Sequence, residues 1–140
     1  MSHVAMNNVE LREFLSKPLI ADIVTLNKDG SPQITPLWYN YDGTYLYFST
    51  TTDRAKGRNI KRDNRIAVCI RSDSAHKVVL FTGTADILDD KDHVLGRRIA
   101  SRYTPPDKLD ELLRSMEANR IIIRMKPTKT ISWDYTKSEN

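Results

Sequence analysis

The chain is 140 residues long, enough for one domain of ordinary size and too short in practice for two. With 39% hydrophobic and 29% charged residues it can build a core and is not disordered by composition. The one cysteine, Cys69, excludes a disulfide scaffold and a cysteine zinc cluster, and no apolar run reaches the ~18 residues of a membrane span. Met1 to Asn8 is polar, without signal-peptide character, so a cytoplasmic protein is expected.

The net charge of +4 is concentrated in one place. Between Asp53 and Arg65 lie Arg54, Lys56, Arg58, Lys61, Arg62 and Arg65 against Asp53 and Asp63 alone, and the remaining charges cancel. A focused positive segment is an anion-binding signal, although a solvated helix face has the same composition.

Taken in order, Val9 to Leu15 reads as a short amphipathic helix ended by Pro18. Ile20 to Leu26 is β-branched and apolar and stops at Asp29-Gly30, a hairpin signal. Gln33 to Tyr41 is the second strand, with Pro36 marking an edge or bulge, and Tyr45 to Thr50 is the third. The segment Asp53 to Asn64 is expected to be a helical turn opening near Arg54 with Asp53 as its N-cap. Ile66 to Ile70 reads as a strand buried on both faces, with Cys69 a buried and inert thiol. Val78 to Leu88 is long enough for a strand bent at Gly83. Asp89 and Asp90 are expected to cap a helix, and a second helix follows Pro105-Pro106 with Leu109, Leu112, Leu113 and Met116 at helical spacing. Arg120 to Met125 and Thr130 to Trp133 are expected as two last strands separated at Pro127.

The fold class is therefore mainly β, one domain over residues 1–140: an antiparallel sheet of six or seven strands closing into a barrel, with short flanking and inserted helices. Trp38, Tyr39, Tyr41, Tyr45, Tyr47 and Phe48 sit on two neighbouring strands, so some rings face a partner or a flat ligand unless the core absorbs them.

Several site types are absent. His3, His76 and His93 have no metal-ligand spacing, and five glycines give no dinucleotide fingerprint. An enzyme with this inventory needs a cofactor for its chemistry, and no metal is expected. The informative run is Phe48-Ser49-Thr50-Thr51-Thr52-Asp53-Arg54-Ala55-Lys56-Gly57-Arg58-Asn59. A strand end, hydroxyls, a helix N-terminus and cations together suit a phosphate. On a regular helix Lys56 would lie ~200° around from Arg54, so both meet one ligand only if the turn is irregular or the ligand long.

The stretch from about Phe14 to Asp134 resembles the FMN-binding split-barrel superfamily, the pyridoxamine 5′-phosphate oxidase-like proteins, and within it the oxidoreductases that use coenzyme F-420. The likeness rests on LSKPLIADIVTLNKDGSPQITPLWYNYDGTYLYFSTT, DRAKGRNIKRDNRIAVCI and RIIIRMKPTKTISWD. It implies a homodimer of six-stranded split barrels with the cofactor in a groove between subunits. It further implies that Gln33, Thr35, Pro36, Leu37 and Trp38 line the ring, and that Ser49, Thr50, Thr51, Arg54, Lys56 and Asn59 line the phosphate end. The second strand departs from the oxidase proper, whose Arg…Leu-Lys pattern is replaced here by Gln33-Ile34-Thr35-Pro36-Leu37-Trp38, which points away from pyridoxamine phosphate as substrate.

Three readings follow, and a fourth, a cofactor carrier without catalysis, shares every sequence feature of the first. One is hydride transfer from reduced F-420 to a small conjugated or quinone-like acceptor, the extra cations Arg58, Lys61 and Arg62 meeting the acidic tail of that cofactor. Another is the same fold using FMN, as an oxidoreductase or flavin reductase. The third is a single-stranded nucleic-acid-binding barrel, which has less behind it because the basic stretch is one turn and not a stripe across strands.

Overall fold

The computed structural model describes residues 4–116 and 118–137. Helix α1 (Asn8–Leu15) opens with a reciprocal cap: the Glu10 N–H donates to Asn7 Oδ1 at 2.8 Å, and the Asn7 N–H donates to Glu10 Oε1 at 3.0 Å. Strands β1 (Ala21–Leu26), β2 (Pro32–Leu37), β3 (Asn40–Tyr41) and β4 (Leu46–Thr51) follow, then helix α2 (Ala55–Arg62). Next come β5 (Arg65–Arg71), β6 (Lys77–Asp89), helices α3 (Val94–Ala100) and α4 (Pro106–Arg114), and β7 (Arg120–Asp134). All pairings are antiparallel, in the order β2-β1-β5-β6-β7-β4-β3.

The long strands β6 and β7 join the two halves of the sheet. The first half of β6 pairs with β5, while the first half of β7 pairs with β4. The sheet rolls around one core in which Ile23, Val68, Ile70 and Phe81 meet Leu46, Phe48, Ile123 and Met125. The architecture is the expected antiparallel half-barrel, with seven strands and four α-helices among the described residues.

Four details differ from the sequence-based expectation. First, Gln33 to Tyr41 is two strands, because the chain leaves the sheet at Trp38 and Tyr39. Second, β7 runs unbroken through Pro127. Thr82 pairs with Lys129 but Gly83 with Pro127, so Thr128 is the extra residue of a bulge, where its hydroxyl donates to the Thr82 carbonyl at 3.2 Å. A bulge tolerates a residue without an N–H. Third, β5 buries only one face, leaving Cys69 half-buried; burial, with Asp22 nearby, pushes its thiol pKa up. Fourth, the N-cap of α2 is Arg54 and not Asp53, whose carboxylate accepts from Thr51 and Asn119 instead.

Gly83 provides the expected bend: a Cβ there would stand 2.1 Å from the Lys126 carbonyl oxygen, so only glycine lets the two strands cross so closely. Asp90 alone caps α3, accepting from the N–H groups of Leu95 at 3.0 Å and Gly96 at 2.9 Å. The aromatic surplus is largely absorbed internally. Tyr39 and Phe48 are fully buried, Tyr41 packs against Phe81, and Arg124 lies over Tyr45. No helix among the described residues is long and apolar enough to cross a membrane.

Candidate cofactor site

Helix α2 lies hard against the end of β4. The missing Cβ of Gly57 would sit 2.9 Å from the Thr51 carbonyl oxygen, and the close approach carries the preceding residue, Lys56, into the protein. Lys56 is only 5% exposed, yet it has no hydrogen bond or carboxylate partner among the described residues. Burial lowers its pKa below the ordinary lysine value, and the nearby cations Arg54 and Arg120 lower it further. The Thr50 hydroxyl is also buried, without a hydrogen-bond partner among the described residues. The first turn of α2 carries no acidic residue and no side-chain cap. A largely buried lysine and an orphaned hydroxyl next to a helix N-terminus form a place suited to an anion.

Arg54 meets Lys56 because it stands outside the helix, in an extended conformation, which removes the angular separation of a regular turn. Arg120, at the start of β7 and opposite Thr51 in the ladder, joins them although the sequence does not single it out. It donates to the Ser49 hydroxyl at 2.5 Å. Only its place one residue before the apolar triplet Ile121-Ile122-Ile123 signals a strand-initial cation, and that does not say which way it points.

The other expected residues divide. Thr51 is buried, its hydroxyl donating to Asp53 at 2.5 Å. Asn59 is committed to the fold: its amide donates to Thr25 at 3.0 Å and Asn27 at 3.1 Å, and its carbonyl accepts from Arg62 at 2.8 Å. On β2, Gln33, Thr35 and Leu37 share the face of Thr25, Ile23 and Ala21, whereas Pro36 shares the other face with Ile34. Leu37, Trp38, Ser49, Ile99 and Arg120 line a cavity of about 160 Å³ between the β2 and β4 ends and α3. A larger cleft of about 710 Å³ lies elsewhere, between α1, Tyr41 and the end of β7, with no buried cation in its lining.

Much of the basic run is spent internally. Arg58 donates to the Asp53 carbonyl, Arg62 to the Leu26 carbonyl at 2.9 Å, and Arg65 pairs with Asp63 at 2.7 Å. Arg54, Lys56 and Arg120 together bring positive charge to the end of β4. No group of three or more His, Cys, Asp or Glu among the described residues is arranged to hold a metal.

Residues 8–134 match the pyridoxamine 5′-phosphate oxidase family. The chain belongs to that family. Its fold is that of the flavin-binding oxidoreductases this family gathers, as the sequence resemblance implied. Among solved structures, an F-420 reductase is 30% identical, matching 85% of this chain and 94% of its own with a TM-score of 0.72. A conserved hypothetical protein from Mycobacterium tuberculosis is 25% identical over 100% of this chain and 92% of its own, with a TM-score of 0.87. General stress protein 26 from Bacillus anthracis, 15% identical over 90% of this chain and 92% of its own with a TM-score of 0.69, shares the fold of the family.

Proposed function

We propose that this member of the family binds the deazaflavin coenzyme F-420 and serves hydride transfer from its reduced form to a small conjugated or quinone-like acceptor. The observation that carries the reading is Lys56, only 5% exposed and without a hydrogen bond or carboxylate partner among the described residues, on the helix packed against the end of β4 where the Thr50 hydroxyl is orphaned. A phosphate satisfies both, and F-420 carries one. FMN carries one too, and is the second reading, supported by the family match over residues 8–134. The relationship to an F-420 reductase at 30% identity favours the deazaflavin. So does charge, since the acidic tail of F-420 adds anions that the exposed cation Lys61, on α2, can meet.

When bound, the reduced deazaflavin supplies the hydride. The chain's part is to bind and orient. Lys56, Arg54 and Thr50 hold the phosphate end, while Leu37 and Trp38 bound the cavity on the ring side, with Gln33 and Thr35 farther along the same strand. In this reading Ser49 stays with Arg120, and Thr51 and Asn59 act by holding β4, α2 and β1 together.

The working unit in this reading is a homodimer with the cofactor groove between subunits. The outer face of β2, β1, β5, β6 and β7 supports it. One ladder row there runs Pro36, Asp22, Cys69, Leu80, Ile131 and the next Ile34, Val24, Ala67, Thr82, Lys129. Ile34 is 66% and Ile131 45% exposed on this mostly apolar surface.

The test is titration of the purified protein with F-420 and, separately, with FMN, followed by ligand fluorescence. Saturable binding that is tighter for F-420 supports the first reading. The reverse order moves the assignment to FMN, and binding of neither overturns both.

A further inference from the structure

The turn joining α3 to α4 is tied to the rest of the chain by an unusual density of polar contacts. The Arg102 guanidinium donates to the carbonyls of Leu15 at 3.1 Å and Lys17 at 2.9 Å, and to the carbonyl of Tyr39. It also lies over the rings of Tyr39, 4.7 Å from the centroid, and Tyr103, at 5.6 Å. The Tyr103 hydroxyl donates to the Leu19 carbonyl at 2.6 Å and accepts the Tyr39 N–H at 3.2 Å. Tyr103 is thus held from both its ring and its hydroxyl.

Trp38 lies on the ring so held. The two rings are stacked, centroids 4.9 Å apart and planes within 2°. Trp38 has left the sheet and is 37% exposed, and it is also a wall of the cavity of about 160 Å³. That volume is about what a single six-membered ring occupies.

We propose that Tyr103 is a positioning residue that fixes the plane of Trp38 as a preset aromatic wall, against which one ring of a planar conjugated ligand lies. The inference rests on the proposed function and deepens it. A wall ordered before binding spares the ligand the cost of freezing a loop side chain, and its flat face selects planar over puckered rings. Tyr103 need not touch the ligand, since it acts through Trp38.

The chain has two tryptophans, so Trp133→Phe leaves Trp38 as the only one. In that background and without ligand, Tyr103→Leu is expected to lower the fluorescence anisotropy of Trp38 and to raise its acrylamide quenching constant at least about twofold, while Tyr103→Phe, which keeps the stack, preserves both. The dissociation constants of F-420 and FMN are expected to rise roughly two- to tenfold in Tyr103→Leu and to stay at the parent value in Tyr103→Phe. Unchanged Trp38 fluorescence in Tyr103→Leu would overturn the proposal, and so would a loosened Trp38 with unchanged affinity for both cofactors. If Tyr103→Leu does not fold, Trp38→Leu decides: a matching loss of affinity supports the wall, and parent affinity overturns it. Failure of the parent protein to bind either cofactor strikes the proposed function instead, and the ligand-free fluorescence comparison then decides the role of Tyr103 by itself.

Discussion

The backbone of Gly57 passes the carbonyl of Thr51 so closely that a Cβ would lie 2.9 Å from its oxygen. The obstacle is backbone on both sides, so no side-chain rotation relieves it. Gly57→Ala must therefore lift the start of α2 off β4. A loss of about 1–3 kcal/mol of stability is expected, together with weaker binding of a phosphate-bearing cofactor as Lys56 moves outward. Chemical denaturation and cofactor titration of the same variant measure the two effects.

Gly83 and Gly30 make a second comparison. At Gly83 a Cβ would meet the Lys126 carbonyl oxygen at 2.1 Å, whereas at Gly30 the space is open and only the backbone, at φ +86°, is unfavourable. Gly30→Ala is expected to cost about 1 kcal/mol. Gly83→Ala is expected to cost several times as much, because the β6–β7 crossing itself must open. Equal melting temperatures for the two variants would show that the bend does not depend on the missing side chain.

The bend at Gly83 was legible in the sequence because a glycine inside a long apolar strand marks a kink or a close backbone crossing. The helix at Val9 to Leu15 and the hairpin at Asp29-Gly30 were legible because local chemistry decides them. What was not legible depends on neighbours distant in the chain. Pro127 does not end β7, because Thr128 provides a bulge against Thr82 on another strand, and no local pattern signals that pairing. Asp53 has the chemistry of an N-cap but is taken by Thr51 and Asn119. Lys56 was visible as a cation near hydroxyls, but its burial follows from Gly57, and its nearness to Arg120 follows from the β4–β7 ladder. The family resemblance places Asn59 at the phosphate end, yet Thr25 and Asn27 use its amide.

Acid stability has a definite sign. Hydrogen bonds from Arg65 hold the Asp63 carboxyl down to about 2 from an ordinary 3.8, and Thr51, foremost, lowers Asp53. Between those limits the unfolded chain binds more protons than the folded one, so this stability is present above about pH 4 and falls as pH drops toward 2. Melting temperatures across the acid range are expected to decline only below about pH 4, and Asp63→Asn is expected to make that decline shallower.

At Lys56 the same direction of shift is a cost in place of a gain. Its folded pKa is depressed, so the burial cost is present at neutral pH and fades as pH rises toward the ordinary 10.5. A bound phosphate favours the charged form. Cofactor affinity is therefore expected to fall as pH rises toward the ordinary lysine value of 10.5, and Lys56→Arg, which stays charged, to flatten that dependence. An unchanged profile in Lys56→Arg would assign the pH effect to another group.

For the dimer, Ile131→Glu places a charge on the apolar outer face of the sheet. It is expected to convert a dimeric mass to a monomeric one by light scattering without lowering the helix and strand content. A parent protein that is monomeric at micromolar concentration would remove the homodimer from the reading.

In this reading the largely buried Lys56 holds the phosphate of the cofactor. Lys56→Ala, compared with Lys108→Ala on the exposed side of α4, tests it at matched charge in one ionic strength. A charge-assisted contact to phosphate contributes about 1.5–3 kcal/mol, so Lys56→Ala should raise the dissociation constant for F-420 roughly ten- to a hundredfold, with the fold intact and Lys108→Ala at the parent value. Equal affinities for the two variants would contradict it and take the phosphate away from the end of β4.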